Sequence, residues 1–156
     1  MIKYQIPGNE TIEISNLVID FNGTIAEDGK LIEGVAELLI NLSGKIKIYI
    51  ATADTYGTVK TQCESLPVEL ATFPSNKAAL SKKALVELLG SENCACIGNG
   101  YNDGEMMSLA ALAIAVVGTE GLATACIRKA DIVAPSIHSA LGMLLKPDHI
   151  KATLRH

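Results

Sequence analysis

The sequence has no run of lysine or arginine, and its formal net charge is −4 with a pI near 5.3. Nucleic acids and anionic membrane surfaces are bound mainly through clustered basic side chains, so we expect neither as a partner. It also has no long hydrophobic run: the longest, residues 109–117, is half of the roughly 18 apolar residues that a membrane span needs. The first residues lack the apolar core of a signal peptide. Together these absences predict a cytoplasmic protein.

Metal-binding patterns of cysteine and histidine are absent as well. Cys94 and Cys96 alternate on a predicted strand and face the same side, but no second cysteine pair or histidine stands at ligand spacing. We interpret them as buried free thiols. The three histidines are scattered near the C-terminus and are given no chemistry: His138, His149 and His156.

The composition is that of a globular chain. Of the 156 residues, 49% are hydrophobic and 19% charged, which indicates a packed core and excludes disorder. The length suits one domain and is too short for two. We therefore predict a single domain over residues 1–156, made of an N-terminal hairpin (1–16), a core (17–145) and a C-terminal helix or tail (146–156).

Short apolar runs alternate with helical patterns along the core. Residues 2–6 and 11–14 show period-two alternation around a turn cluster, which predicts the N-terminal β-hairpin. The later runs predict parallel strands joined by helices, among them helices over 105–111 and 122–129. The expected fold is a doubly wound, three-layer, Rossmann-like α/β sheet without a cap domain.

Polar, glycine-containing corners follow three of the predicted strands: Asp20 to Thr24, Thr52 to Asp54, and Gly98 to Asp103. The carboxyl ends of parallel strands share one edge of the sheet, where α/β folds hold their ligands. Asp20 offers a nucleophilic carboxylate, and Thr52 with nearby backbone N–H groups can hold phosphate oxygens. Asp103 can join Asp20 around a hard cation such as Mg²⁺.

These three segments resemble the successive motifs of the haloacid dehalogenase (HAD) superfamily. The closest likeness is to the phosphorylation domain of P-type ATPases, whose motifs read Asp-Lys-Thr-Gly-Thr, Thr-Gly-Asp and Gly-Asp-Gly-x-Asn-Asp. The likeness covers about residues 17–145. With no membrane segment and no nucleotide-binding insertion in the sequence, it implies a soluble, P-type-ATPase-like HAD hydrolase.

The resemblance implies a role for each matching residue. Asp20 would attack phosphorus and form an aspartyl-phosphate, and a lysine would balance the charge. Lys82 is the first choice for that lysine, while Lys77 is the alternative because Pro74-Ser75-Asn76-Lys77 also matches an ATPase pattern. The implied phosphate contacts further include Thr52 and Ala53. The implied Mg²⁺ ligands are Asp20, the Asn22 backbone carbonyl, Asn99 and Asp103.

Two residues depart from the family pattern. Asn22 stands where HAD phosphatases have a catalytic aspartate, and asparagine cannot exchange a proton, a role typically worth ~10²–10⁴ in rate. Hydrolysis of the aspartyl-phosphate should be slow unless Asp54 or another group activates water. Asn99 stands where the family has a metal-binding aspartate, so Mg²⁺ should bind more weakly.

The leading hypothesis is therefore a Mg²⁺-dependent phosphohydrolase that works through phospho-Asp20 on a phosphorylated substrate. The alternative is a non-catalytic HAD-fold protein that binds a phospho-ligand or a partner, because two acids are missing at Asn22 and Asn99. The absence of a cap insertion suggests a bulky substrate or a covering subunit, and with the apolar composition it favours homo-oligomerisation.

Overall fold

The structure is a computed structural model that describes residues 1–54 and 57–155; His156, which was given no chemistry, lies outside the described residues. The strands are β1 (Ile2–Tyr4), β2 (Ile12–Ile14), β3 (Asn16–Ile19), β4 (Ala26–Glu27), β5 (Lys30–Leu31), β6 (Lys47–Thr52), β7 (Glu69–Thr72), β8 (Cys94–Gly98), β9 (Leu112–Val116) and β10 (Ile132–Ala134). The α-helices are α1 (Val35–Ser43), α2 (Val59–Cys63), α3 (Ala78–Leu89), α4 (Gly104–Met107), α5 (Thr124–Ile127), α6 (Ile137–Leu145) and α7 (Pro147–Leu154). Short 3-10 turns cover Ser75–Lys77, Ser91–Asn93 and Tyr101–Asp103.

Six strands form one central sheet in the order β10-β9-β8-β3-β6-β7, and every neighbouring pair is parallel. Strand β3 lies in the middle, between β8 and β6. The strand order steps outward from β3 in both directions, which is how a doubly wound sheet forms. This confirms the predicted Rossmann-like fold.

Two apolar layers sandwich the sheet, because successive side chains of a strand point to opposite faces. On one face, Leu17 and Ile19 pack with residues of α1 and α6. On the other, Val18 packs with Cys94 and Cys96 and with α3 and α4 residues. Both cysteines are buried and free, as the sequence predicted. Such two-sided burial explains the nearly continuous apolar runs in these strands.

The N-terminal hairpin packs on the first of these layers. Strands β1 and β2 are antiparallel, with Ile2 opposite Ile14. Tyr4 is fully buried and donates its hydroxyl to the Leu144 carbonyl of α6 at 3.0 Å. Hairpin and core therefore share one hydrophobic layer. The division into residues 1–16, 17–145 and 146–156 stays a prediction.

Two predicted helices are shorter in the structure than in the prediction. The helix predicted for 105–111 ends at Met107, since the Ala111 N–H bonds the Ser91 carbonyl as the chain enters β9. The helix predicted for 122–129 covers only α5, because the Ala123 N–H is bonded to the Asn99 carbonyl at 2.8 Å. Tertiary hydrogen bonds replace helical ones at both places.

Between residues 20 and 47 the chain forms only the β4–β5 hairpin and α1, so no cap domain is inserted there. The hairpin turns at Asp28 and Gly29, which both have positive φ (48° and 76°), as an Asp-Gly turn requires. Within the described ranges, no helix is both long enough and apolar enough to cross a membrane.

Candidate active site

Asp20 follows β3 directly, at the carboxyl edge of the sheet. Its backbone N–H donates to the Ile97 carbonyl of the neighbouring β8 at 3.0 Å, which fixes where the side chain emerges. The next residue, Phe21, accepts hydrogen bonds at its carbonyl from Thr24, Ile25 and Ala26. This compact turn returns Thr24 to Asp20, and the Thr24 hydroxyl lies 3.3 Å from Asp20 Oδ2.

Lys82 brings a positive charge to Asp20 from helix α3. Its side chain is fully buried, and Nζ lies 2.6 Å from Asp20 Oδ1 and 2.7 Å from Asp103 Oδ1. Lys77, the alternative from the sequence, is exposed on the 3-10 turn before α3. The structure thus brings Lys82, and not Lys77, to the candidate nucleophile.

Asp103 lies behind Lys82 and is completely buried. Its Oδ2 accepts hydrogen bonds from the backbone N–H groups of Asn99 and Gly100, at 3.0 and 2.9 Å. The carboxylate fits there only because residue 98 is glycine: a Cβ at Gly98 would lie 2.5 Å from Asp103 Cγ. Both oxygens of Asp103 are therefore engaged by the chain itself.

Thr52 ends β6 on the other side of Asp20 and is buried. Its Oγ1 accepts the Asp54 backbone N–H at 2.9 Å, which leaves the hydroxyl hydrogen to donate elsewhere. The Asp54 carboxylate accepts the N–H groups of Thr58 and Val59 and so holds the start of α2. The Asp54 carboxylate therefore holds the start of a helix, whereas the sequence suggested it as a group that could activate water.

The two asparagines differ in how their amides are used. Asn22 Oδ1 accepts the Gly29 N–H at 3.1 Å, whereas its Nδ2 is buried and has no hydrogen-bond partner among the residues that the structure describes. Asn99 Oδ1 accepts the Thr24 hydroxyl at 3.1 Å, and its Nδ2 donates to the Gly121 carbonyl at 3.1 Å. An unpaired buried donor is costly, so Asn22 Nδ2 marks a place for an acceptor atom.

A cavity of about 190 Å³ joins these residues. The described residues that line it are Asp20, Asn22, Thr52, Ala53, Asn99, Gly100, Asn102 and Glu120. All predicted phosphate and metal residues except Asp103, Lys82 and Lys77 line it. A larger cleft of about 630 Å³ lies at the opposite, amino edge beside residues 43–48 and 66–69, away from the strand ends where such folds hold ligands.

Glu120 is the cavity residue that the sequence reasoning missed. It lies in the loop after β9, between Gly118 and Gly121, and its carboxylate would be 2.7 Å from a Cβ placed on Gly23. The missed signal is the Gly-Thr-Glu-Gly corner at the end of a further parallel strand, since such corners reach the same edge of the sheet.

Burial and charge together set the protonation of the central ion cluster. Burial raises the pKa of Asp20 and the nearby Asp103 carboxylate raises it further, while Lys82 lowers it, with a result of about 7. Burial alone would lower the pKa of Lys82, but Asp20 and Asp103 outweigh it and raise that pKa. The lysine is therefore a cation, and it favours the ionised form of Asp20.

The cavity has donor atoms that fit a hard divalent cation. Asp20, Asn99 and Glu120 offer oxygen atoms, and no cysteine or histidine within residues 1–54 and 57–155 lines it. Among the described residues, no group of three or more His, Cys, Asp or Glu forms a ready metal cage. Mg²⁺ is usually held by one or two carboxylates together with substrate phosphate, so this smaller donor set still fits that ion.

No family model matches the sequence. Solved structures with the same fold include a protein described as a HAD-family hydrolase from Streptomyces avermitilis, at TM-score 0.69 and 20% identity over 88% of each chain. Cobalt-bound deoxy-D-mannose-octulosonate 8-phosphate phosphatase from Haemophilus influenzae matches at TM-score 0.72 and 12% identity, over 90% of this chain and 92% of that one. The 3-deoxy-D-manno-octulosonate 8-phosphate phosphatase from Moraxella catarrhalis, in complex with a magnesium ion, a phosphate ion and a KDO molecule, matches at TM-score 0.66 and 19% identity, over 90% of this chain and 92% of that one.

The chain therefore has the fold of these solved structures, which include a protein described as a haloacid dehalogenase-family hydrolase. More particularly, it belongs to one family with the uncharacterized protein MJ0073 of Methanocaldococcus jannaschii, at 39% identity over 80 residues, 49% of this chain and 86% of that protein. The uncharacterized protein MJ0072 of the same organism is 54% identical over 39 residues, 25% of this chain and 89% of that protein.

Proposed function

We propose that the protein is a slow, Mg²⁺-dependent phosphohydrolase that works through an aspartyl-phosphate on Asp20. The observation that supports this most is the buried ion pair between Lys82 and Asp20 at the edge of a cavity lined by Thr52. A nucleophile and a hydroxyl donor thus line one cavity, and a buried cation contacts the nucleophile beside it. The phosphatases of the same fold from Haemophilus and Moraxella make a phosphomonoester substrate a reasonable class.

In the first step, an Asp20 oxygen bonds to phosphorus while the bond to the leaving-group oxygen breaks. The Thr52 hydroxyl donates to a phosphoryl oxygen, and Lys82 offsets the negative charge beside the nucleophile. A bound Mg²⁺ would supply further charge stabilisation on the phosphoryl oxygens, with Asp20, Asn22 and Asn99 as the residues to hold it. In the second step, water attacks phosphorus, inorganic phosphate leaves and the Asp20 carboxylate is regenerated.

Asn22 makes both steps slow. The leaving oxygen needs a proton in the first step, and the attacking water must lose one in the second. An amide can neither give a proton to the leaving oxygen nor take one from water. The unpaired Nδ2 of Asn22 can still donate a hydrogen bond to a phosphoryl or leaving-group oxygen. The expected consequence is a long-lived aspartyl-phosphate.

The unpaired amide of Asn22 also favours a second candidate function, a protein that binds a phospho-ligand without turning it over. A buried donor such as Asn22 Nδ2 pairs well with a phosphate oxygen that stays in place. In that case Asp20 would contact the ligand and form no covalent bond. Occupancy without release of phosphate distinguishes this candidate from the phosphohydrolase.

Beryllofluoride binding, observed by ¹⁹F NMR, tests the nucleophile directly. With Mg²⁺ present we expect a bound signal in the wild type and none in Asp20→Ala. Acid quenching after acetyl phosphate should trap one phosphoryl group per chain at Asp20, followed by slow release of inorganic phosphate. Failure to bind beryllofluoride, together with phosphate release no faster than that of Asp20→Ala, would rule out the phosphohydrolase.

Lys77→Met is the matched control for Lys82→Met, because both remove one lysine charge near the same helix start. We expect the exposed Lys77 to be dispensable for beryllofluoride binding and Lys82 to be required. Equal loss in both variants would mean that overall charge, and not the contact with Asp20, governs binding.

A further inference from the structure

The loop after β9 is seated directly on the turn that follows the nucleophile. A Cβ at Gly118 would lie 2.5 Å from the Gly23 carbonyl oxygen, so the two backbones touch. Gly121 has φ +87°, donates its N–H to the Gly118 carbonyl at 2.9 Å and forms a bridge with it. The result is a tight turn with Glu120 at its tip, beside the cavity.

Asn99 holds this loop in place through two hydrogen bonds. Its side-chain Nδ2 donates to the Gly121 carbonyl at 3.1 Å, and its backbone carbonyl accepts the Ala123 N–H at 2.8 Å. An aspartate at position 99 has no N–H to give to Gly121, and its charge would face the nearby Glu120 carboxylate. A Cβ built on Gly23 would lie 2.7 Å from Asn99 Nδ2 and 2.7 Å from Glu120 Oε2, so these two side chains are close together. A neutral residue at position 99 therefore avoids charge repulsion with the acid at position 120.

The charges around the cavity also indicate Glu120 as a ligand for a cation. Among the described residues that line it, only Asp20 and Glu120 are acidic, because Asn22 and Asn99 are neutral. Asp103 does not line the cavity, and its oxygens bond Lys82 and two backbone N–H groups. A divalent cation beside Asp20 would thus find its second carboxylate at Glu120.

We propose that Glu120 supplies a carboxylate oxygen to the divalent cation at this site, in place of the acid that is absent at position 99. Asn99 acts as a positioning residue that holds the Glu120 loop against the nucleophile turn. The proposal rests on the proposed function for the presence of a cation, but it concerns cation binding and not turnover.

Binding of Mn²⁺, measured by the loss of the free-ion EPR signal without any phosphate compound, tests the proposal. We expect Glu120→Gln to weaken Mn²⁺ binding by about tenfold or more, since ligand charge sets affinity for hard cations. Glu120→Asp should keep part of the affinity. Glu92→Gln, the same charge change at an exposed residue before β8, should bind as the wild type does.

The outcomes separate this proposal from the proposed function. Equal Mn²⁺ affinity in Glu120→Gln and wild type, with both folded by circular dichroism, would overturn the role of Glu120. A wild-type protein that binds no Mn²⁺ would overturn it as well. Binding that depends on Glu120 in a protein that never takes up beryllofluoride would keep the proposal and reject the phosphohydrolase.

Discussion

The Lys82 ammonium lies 2.6 Å from the Asp20 carboxylate, although 62 positions separate the two residues in the sequence. The same ammonium lies 2.7 Å from Asp103, so one fully buried cation serves two carboxylates. Removal of one partner from a buried ion cluster leaves an uncompensated charge, which is more costly than the cluster is favourable.

Lys82→Met should therefore lower the free energy of unfolding at pH 7 by about 3–5 kcal/mol, measured by urea denaturation. Lys77→Met, at an exposed residue, should change it by less than about 0.5 kcal/mol. Asp20→Asn added to Lys82→Met should recover part of the loss, because one of the two stranded carboxylates is then neutral. A Lys82→Met protein as stable as Lys77→Met would contradict the ion cluster.

The absence of an acid at position 22 should make the reaction depend steeply on the leaving group. A leaving oxygen that receives no proton departs easily only from acyl or aryl phosphates. We expect measurable phosphorylation by acetyl phosphate and p-nitrophenyl phosphate and little by alkyl phosphates such as glycerol phosphate. Asn22→Asp should raise the rate with alkyl phosphates by ~10²-fold or more. A wild-type enzyme indifferent to leaving-group pKa would show that another residue supplies the proton.

Gly98 should tolerate no side chain. A Cβ there would lie 2.5 Å from Asp103 Cγ, so Gly98→Ala must displace the buried carboxylate from the Asn99 and Gly100 N–H groups. Such overpacking costs about 1–3 kcal/mol of folding free energy, and we expect loss of beryllofluoride binding with it.

The control is Gly142→Ala, in the interior of α6, where a Cβ meets nothing within 4 Å. That change should stabilise the protein by about 0.5–1 kcal/mol. Thermal and urea denaturation measure both effects.

The buried thiols should be inert in the folded protein. Burial raises the pKa of Cys63 and of Cys94 to about 11. At pH 8, Ellman's reagent should react slowly with the native protein and rapidly with all four cysteines in denaturant. Because an unfolded cysteine has a pKa of about 8.5, the unfolded chain loses these protons first. Stability should then be intact below pH 8.5 and fall as the pH rises toward 11. Fast labelling of the native protein at pH 8 would contradict the observed burial.

Much of the fold follows from local features of the sequence. The Asp28-Gly29 turn, the N-terminal hairpin and the alternation of strands with helices depend on residues close together in the chain. The predicted end of the helix over 105–111 and the predicted start of the helix over 122–129 were wrong. Ala111 and Ala123 donate their N–H groups to carbonyls that are distant in the sequence. A pattern of apolar residues contains no information about such partners. The likeness to P-type ATPases in particular stays a prediction.

The sequence by itself determined that Asp20, Thr52 and Asn99 stand at the ends of strands, because strand periodicity and glycine turns are local properties. Only the tertiary structure decided that Lys82 and not Lys77 meets Asp20, that Asp103 lies behind the cavity, and that Glu120 borders it. These contacts join residues from separate crossover connections. Their distances depend on how helices and loops pack onto the sheet, and that packing is fixed by the whole core at once.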